Sequence, residues 1–220
     1  MRIAIVPVKD LSRAKERLSP VLSQSDRTKL AFIMLEDVLT ALKGSKLLTK
    51  LFVVTSDEHA TELARSLDIE VINEAKQESE SSSIDFSSNV CKDLGAGSVL
   101  VIPGDVPLIR PADVDYILER EKPYPSAILV PARDRLGTNA ILRRPPDAFP
   151  SRFGYDSFNK HMDEARKWGI EFDIYHVPRI ALDIDDPKDL TLFLSQKSDS
   201  KTYAKLVKMG NVERSGKIVN

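Results

Sequence analysis

The chain has 220 residues, 42% of them apolar and 30% charged, with a formal net charge of −1. That length suits one substantial core, and the near-neutral balance excludes a protein drawn to nucleic acid or anionic membrane by bulk charge, so any anion chemistry must come from local clustering and the expected partners are small molecules. The single cysteine, Cys91, excludes an intramolecular disulfide and argues against a cysteine-based metal cage.

In chain order, the first run, "RIAIVPV" (2–8), reads as a buried strand. A helix follows from a cap at Ser23 or Ser25 to a stop at Gly44, with Leu30, Ile33, Met34, Val38, Ala41 and Leu42 at helical spacing. Strands are predicted over 51–56, 69–72, 98–104, 126–132 and 138–144, and helices near 58–67, 111–120, 157–168 and 187–195. The Ser- and Glu-rich segment 73–89 reads as a loop, either over a site or as a solvated connection. Residues 1–195 are expected to form one domain. Residues 196–220, rich in Lys, read as a solvated extension or as a helix packed on the body or on a second subunit. Strands apolar on both faces, alternating with helices, predict a three-layer α/β/α fold with a mainly parallel sheet, in which ligands bind beyond the C-terminal ends of the strands. No stretch approaches the roughly 20 apolar residues that span a bilayer, and the N-terminus is strand-like, so the chain is read as cytoplasmic.

Four features carry candidate chemistry. The first strand empties into "VKDLSRAKERL", where Lys9, Arg13, Lys15 and Arg17 cluster without a P-loop or a GxGxxG pattern. Taken alone the run reads as solvated surface; at a strand-one exit it also suits a phosphate site built from cationic side chains. In "VLVIPGDVPLI" a core strand ends at Asp105, a turn residue by one reading and an oxygen ligand for Mg²⁺ by another. In "IALDIDDPKDL" strand-like alternation puts Asp183 and Asp185 on one side, while Asp186 and Pro187 start a helix. Finally, Gly137, Thr138 and Asn139 at a strand entrance, and Gly154 with Ser157 as N-cap before a helix holding His161, offer donors to a carboxylate or phosphate. No Ser-His-Asp or Cys-His arrangement is apparent, and His59 and His176 lack metal-ligand spacing.

Taken together, "VPVKDLSRAKERL", "IPGDVPL", "GTNAILRRPPDAFPSRFGYDSFNKHMDEA" and "LDIDDPKDL" resemble, in order and over residues 3 to 193, the 2-phospho-L-lactate guanylyltransferase family (CofC/FbiD type) of coenzyme F-420 biosynthesis. The resemblance implies a nucleotide-diphospho-sugar-transferase-like fold, related to the MobA-like molybdenum-cofactor nucleotidyltransferases. It implies transfer of GMP from GTP to a three-carbon phospho-acid with Mg²⁺, and is compatible with a homodimer. By the same resemblance, Pro7, Lys9, Lys15 and Arg17 face the nucleotide, with Lys15 and Arg17 on the leaving pyrophosphate; Asp105, Asp183 and Asp185 hold the metal. Ser56, Asp57 and Asp85 lie on the base side, Asp85 in the counterpart of a Gly-hydrophobic-Asn element. Gly137, Thr138, Asn139, Gly154, Ser157 and His161 bind the acceptor. The catalytic set is Lys15, Arg17 and Asp105. Two rival readings remain open: the same fold with another nucleotide or acceptor, of the molybdenum-cofactor or sugar-acid type, and a non-catalytic nucleotide-binding regulator.

Overall fold

A computed structural model describes residues 1–74 and 79–209. Seven strands form one sheet: β1 (Arg2–Pro7), β2 (Lys50–Thr55), β3 (Glu70–Asn73), β4 (Ser98–Val101), β5 (Ser126–Pro131), β6 (Thr138–Arg144) and β7 (Glu171–Ile174). Their order across the sheet is β3-β2-β1-β4-β6-β5-β7. Only β6 runs against the rest, antiparallel to both β4 and β5, while the other pairings are parallel. The reversal positions the site. Ligands of parallel sheets meet the C-terminal ends of strands, and a reversed strand brings its first residues, Thr138 and Asn139, to that same edge.

Helices cover both faces. Along β1, Ala4 and Val6 face one core and Ile3 and Ile5 the other, all fully buried, as the two-residue strand period requires. The first core is closed by α1 (Gln24–Lys43), α2 (Glu58–Ser66), α4 (Pro111–Glu119) and the short α6 (Pro178–Ala181). The second is closed by α3 (Glu80–Asp93) and α5 (Ser157–Lys167). A third apolar cluster joins Leu30 and Met34 of α1 to α7 (Pro187–Ser195) and to Leu206 of α8 (Lys201–Lys208). The expected three-layer α/β/α arrangement is therefore present.

Ser23 caps α1 by accepting from the Asp26 amide, and Gly44 ends it. Asp186 caps α7 with Pro187 at the first helical position. Part of the basic extension is ordered against the body: Thr202 at the start of α8 is buried, and its amide and hydroxyl both donate to Asp37 of α1. Residues 210–220 lie outside the described residues.

Several expectations need correction. The segment 73–89, expected as a loop, contains β3's last residue and most of α3; residues 75–78 within it lie outside the described residues. Strand β7 and helix α6 were not expected. Residues 182–185 form no strand, although Leu182 and Ile184 are buried and the two aspartates between and beyond them point away, so the alternation holds in an extended segment. Ser157 is the first residue of α5 rather than its cap; Asp156, left-handed at φ 56°, precedes it without a side-chain capping bond.

Candidate active site

The cationic run after β1 folds as two turns of 3-10 helix, Leu11–Arg13 and Glu16–Leu18. Asp10 caps the first turn by accepting from the Ser12 amide at 2.8 Å. Asp57, after β2, accepts from the Leu11 amide at 3.0 Å with one oxygen and from the Ala60 amide of α2 at 2.8 Å with the other. It thus staples the loop to the neighbouring strand exit. Between the turns Lys15 takes left-handed backbone angles, φ 58° and ψ 40°, a conformation that costs a non-glycine residue about 1–3 kcal/mol. Strain of this kind persists where surrounding contacts fix it, and here they do.

Lys15 Nζ lies 2.5 Å from Asp105 Oδ2 and 2.8 Å from Asp185 Oδ1. Asp185 also accepts from Arg17. Asp105 follows β4, and its carbonyl accepts from the Ile184 amide at 3.1 Å, which holds the 182–185 segment against the β4 exit. Burial favours a neutral Lys15 amine, but Asp105 and Asp185 outweigh it and raise its pKa, so the residue is a fixed positive charge. Burial likewise opposes ionisation of Asp185, yet Lys15 and Arg17 hold its carboxyl below the ordinary range.

Asp183 behaves in the opposite way. Burial and the Asp105 carboxylate push its pKa up to about 6, against a hydrogen bond from Asn139, with Asp185 adding to the rise. Asn139 Nδ2 donates to Asp183 Oδ1 at 3.0 Å and to the Ile180 carbonyl at 2.9 Å, so it positions the aspartate. Asp105 Oδ1 is buried and has no hydrogen-bond partner among the described residues, a state that is costly for a carboxylate oxygen. Among the described residues no group of three His, Cys, Asp or Glu side chains is arranged to hold a metal ion. Of the three aspartates expected as metal ligands, Asp105 and Asp185 are bridged by Lys15 and Asp183 is held by Asn139.

Pro7, Lys9, Lys15, Asp105 and Asp185 line a single cleft of about 450 Å³, walled on one side by Ala31, Met34 and Leu35 of α1. Glu80, the first residue of α3, lines it too and pairs with Lys9 at 3.3 Å. Sequence reasoning missed this residue because the helix that carries it was not expected. Arg13 lines the cleft as well, largely exposed and with Asp10 at 3.9 Å.

The acceptor-side residues form a neighbouring group. The Thr138 amide donates to Ser157 Oγ at 2.9 Å, and Thr138 Oγ1 lies 2.9 Å from His161 Nδ1. The Arg152 amide donates to His161 Nε2 at 2.8 Å. Since Nε2 accepts, the neutral ring carries its proton on Nδ1 and donates it to Thr138. Gly154 takes φ 108°, open to solvent, a geometry suited to glycine. At Gly137 a Cβ would stand 3.0 Å from Ala132 Cβ. His161 itself is fully buried with both nitrogens engaged, so it sits behind Thr138 as a support.

Burial, together with the Arg143 and Arg152 charges, drives the His161 pKa down to about 3. The unfolded chain, at an ordinary value near 6.5, therefore binds the extra proton first, and stability is expected to fall as the pH drops from about 6.5 toward 3. Melting curves across that range should show the fall, and His161→Gln should flatten it.

On the base side, Ser56 is exposed and Asp57 is spent on the two amides described. Asp85 accepts from Arg143 Nη1 at 3.1 Å and from the Ser151 amide and hydroxyl at 3.0 and 2.6 Å. None of the three lines the cleft.

Comparison with known proteins gives the family. Phosphoenolpyruvate guanylyltransferase of Rubrobacter xylanophilus is 39% identical over 85% of this chain and 90% of its own length. 2-Phospho-L-lactate guanylyltransferase of Methanothermobacter thermautotrophicus is 34% identical over 85% and 81%. 3-Phospho-D-glycerate guanylyltransferase of Colwellia psychrerythraea is 35% identical over 86% and 89%. Among solved structures, a nucleotidyl transferase from Methanothermobacter superposes with a TM-score of 0.66 at 15% identity, covering 89% of this chain and 97% of its own; this likeness shows the nucleotidyltransferase-type fold. The family described as "Guanylyl transferase CofC like" matches residues 1–216, a span that includes α8. With its cation-and-carboxylate cleft at the strand exits and that match along nearly its whole length, the chain belongs to the CofC-like guanylyl transferase family.

Proposed function

We propose that this protein transfers GMP from GTP to the phosphate of a three-carbon phospho-acid, releasing pyrophosphate, as a step in coenzyme F-420 assembly. The observation that carries this reading is Lys15 clamped between Asp105 and Asp185, with Arg17 beside it, in a cleft at the strand exits of a CofC-like chain. An acceptor phosphate oxygen attacks the α-phosphorus, a new P–O bond forms, and the bond from that phosphorus to the β-phosphate bridge breaks. A phosphate monoester is largely ionised near pH 7, so the chain need supply no strong base. Its task is to bring two anions together. Lys15 and Arg17 offset charge on the departing pyrophosphate, a preorganised electrostatic contribution. Gly137, Thr138, Gly154 and Ser157 shape the acceptor side.

The donor set suits Mg²⁺, which commonly takes one or two carboxylates and completes its shell with phosphates and water. Asp105, whose Oδ1 has no hydrogen-bond partner among the described residues, and Asp183, whose ionisation is opposed by burial and then by the neighbouring carboxylates, would hold it. When bound, the metal neutralises phosphate charge and screens the clustered aspartates. Asp185, already committed to Lys15 and Arg17, serves to fix those cations.

The related guanylyltransferases are named for three different acceptors. 2-Phospho-L-lactate is the favoured acceptor, and the relative at 39% identity supports testing phosphoenolpyruvate on equal terms. Pyrophosphate release should therefore be measured for GTP, ATP and CTP against 2-phospho-L-lactate, phosphoenolpyruvate and 3-phosphoglycerate, with a sugar acid as control. Release with GTP and one of the three acids is expected. Turnover of CTP with the sugar acid would move the protein to the sugar-acid nucleotidyltransferases. GTP binding indifferent to Mg²⁺, with no pyrophosphate from any acceptor, would make it a regulator.

A further inference from the structure

We propose that Glu80 and Lys9 together read the Watson–Crick edge of the guanine base, making Glu80 a specificity-determining residue of the cleft. The inference rests on the guanylyltransferase reading above and extends it to the selection of the nucleotide. On the proposed reading Lys15 and Asp105, with Arg17 paired to Asp185 beside them, take the triphosphate end of the cleft, which leaves the remainder to the nucleoside. Lys9, Asp10, Arg13 and Glu80 are the other charged residues lining it, together with the apolar Ala31, Met34 and Leu35; Asp10 is engaged in capping the first turn, while Lys9 Nζ and Glu80 Oε2 stand 3.3 Å apart as a donor-acceptor pair.

The fold gives Glu80 little else to do. Ser79 caps α3, exchanging capping hydrogen bonds with Ser82, and Ser81 Oγ accepts from the Phe153 amide. Lys9 is the ion-pair partner of Glu80 among the described residues. Burial raises the Glu80 pKa, Lys9 opposes the rise, and Asp105 and Asp185 add to it, which places all three acids in one electrostatic neighbourhood. A carboxylate kept there against like charge has a use that the fold does not supply.

The chemistry of the pair matches guanine. Its edge offers an acceptor at O6 and donors at N1 and N2; an ammonium beside a carboxylate offers the complementary donor and acceptors. Adenine reverses that order, setting its amino group against the ammonium and its N1 lone pair against the carboxylate. A site built from such bonds rejects a mismatched edge because its polar groups are left unpaired. The other base-side carboxylates, Asp57 and Asp85, already have their oxygens in bonds that hold the fold.

Xanthine provides the test, since it carries a carbonyl where guanine has the 2-amino group. With the full chain and the acceptor that supports turnover, Glu80→Gln should lower kcat/KM for GTP by roughly 100-fold, chiefly through KM, and raise it for XTP until XTP is preferred. Glu80→Ala should lose GTP without gaining XTP. Both variants should melt within a few degrees of the parent. A parent that prefers GTP, with the GTP-to-XTP ratio unchanged in Glu80→Gln or both nucleotides weakened equally, overturns this inference alone. A parent that prefers ATP or CTP overturns the guanylyltransferase reading and this inference with it.

Discussion

Asp105→Asn is expected to lower kcat for pyrophosphate release on the order of 10³-fold, while the melting temperature moves by less than about 5 °C. The asymmetry follows from the site. The substitution removes a charge from a cluster in which burial, and after it Asp105 and Asp185, already oppose ionisation of Asp183, and Lys15 keeps Asp185 as partner at 2.8 Å. What disappears is the negative charge of a carboxylate whose Oδ1 has no hydrogen-bond partner among the described residues. Calorimetry should also show the stabilisation by Mg²⁺ with GTP lost in the variant. Near-parental turnover with a normal melting curve would remove Asp105 from the catalytic set.

The largest stability effect is expected at the Asp85–Arg143 pair. Arg143 is fully buried; its guanidinium donates to Asp85, to the Phe149 carbonyl at 2.6 Å and to Ser88 Oγ at 2.8 Å. Burial lowers its pKa, and Asp85 is the nearest counter-charge opposing that. Asp85→Ala strands the cation and also releases Ser151, so a loss of about 3–5 kcal/mol is expected in denaturant unfolding. Arg143→Met should be similarly damaging, and the double variant should lose less than the sum of the two because the stranded charge is gone. If Asp85 instead served the base directly, its substitution would raise KM for GTP with little change in unfolding midpoint.

Much of this fold was legible in the sequence because the signals were apolar. Helix α1 carries a clean apolar stripe between Ser23 and Gly44, and the buried strands are continuous hydrophobic runs. Helix α3 was hidden for a physical reason. Its buried face is Ser83, Ile84, Ser87, Ser88 and Cys91, small side chains that let a helix approach the sheet closely but register as polar in a periodicity count. The Ser79–Ser82 capping pair was the signal that could have revealed it. Strand β7 has only four residues and no fully buried position, so it lacked the contrast that marks a core strand. At the site, the loop cations and the three aspartates were legible as residue types at strand exits. That Lys15 would stand between two of them depends on its left-handed backbone, which sequence pattern does not encode. His161 read as an acceptor contact because its distance from the surface is a tertiary property.

The reversed strand has a consequence for how such enzymes diversify. The elements assigned to the nucleotide hang from β1 and β4, whereas Gly137 to Asn139, Gly154 and Ser157 all belong to the β5–β6 hairpin and the α5 that follows it. The two sets meet through the Asn139–Asp183 hydrogen bond, the β4–β6 ladder and the bonds that tie α3 to Arg143, Ser151 and Phe153. Under the proposed assignment, acceptor choice is concentrated in that one stretch of chain. Under that assignment, substitutions in residues 126–167 that spare Asn139, the partner of Asp183, are expected to change the choice of phospho-acid more than pyrophosphate departure. Relatives at comparable identity bearing different acceptor names are the pattern such a division of labour produces.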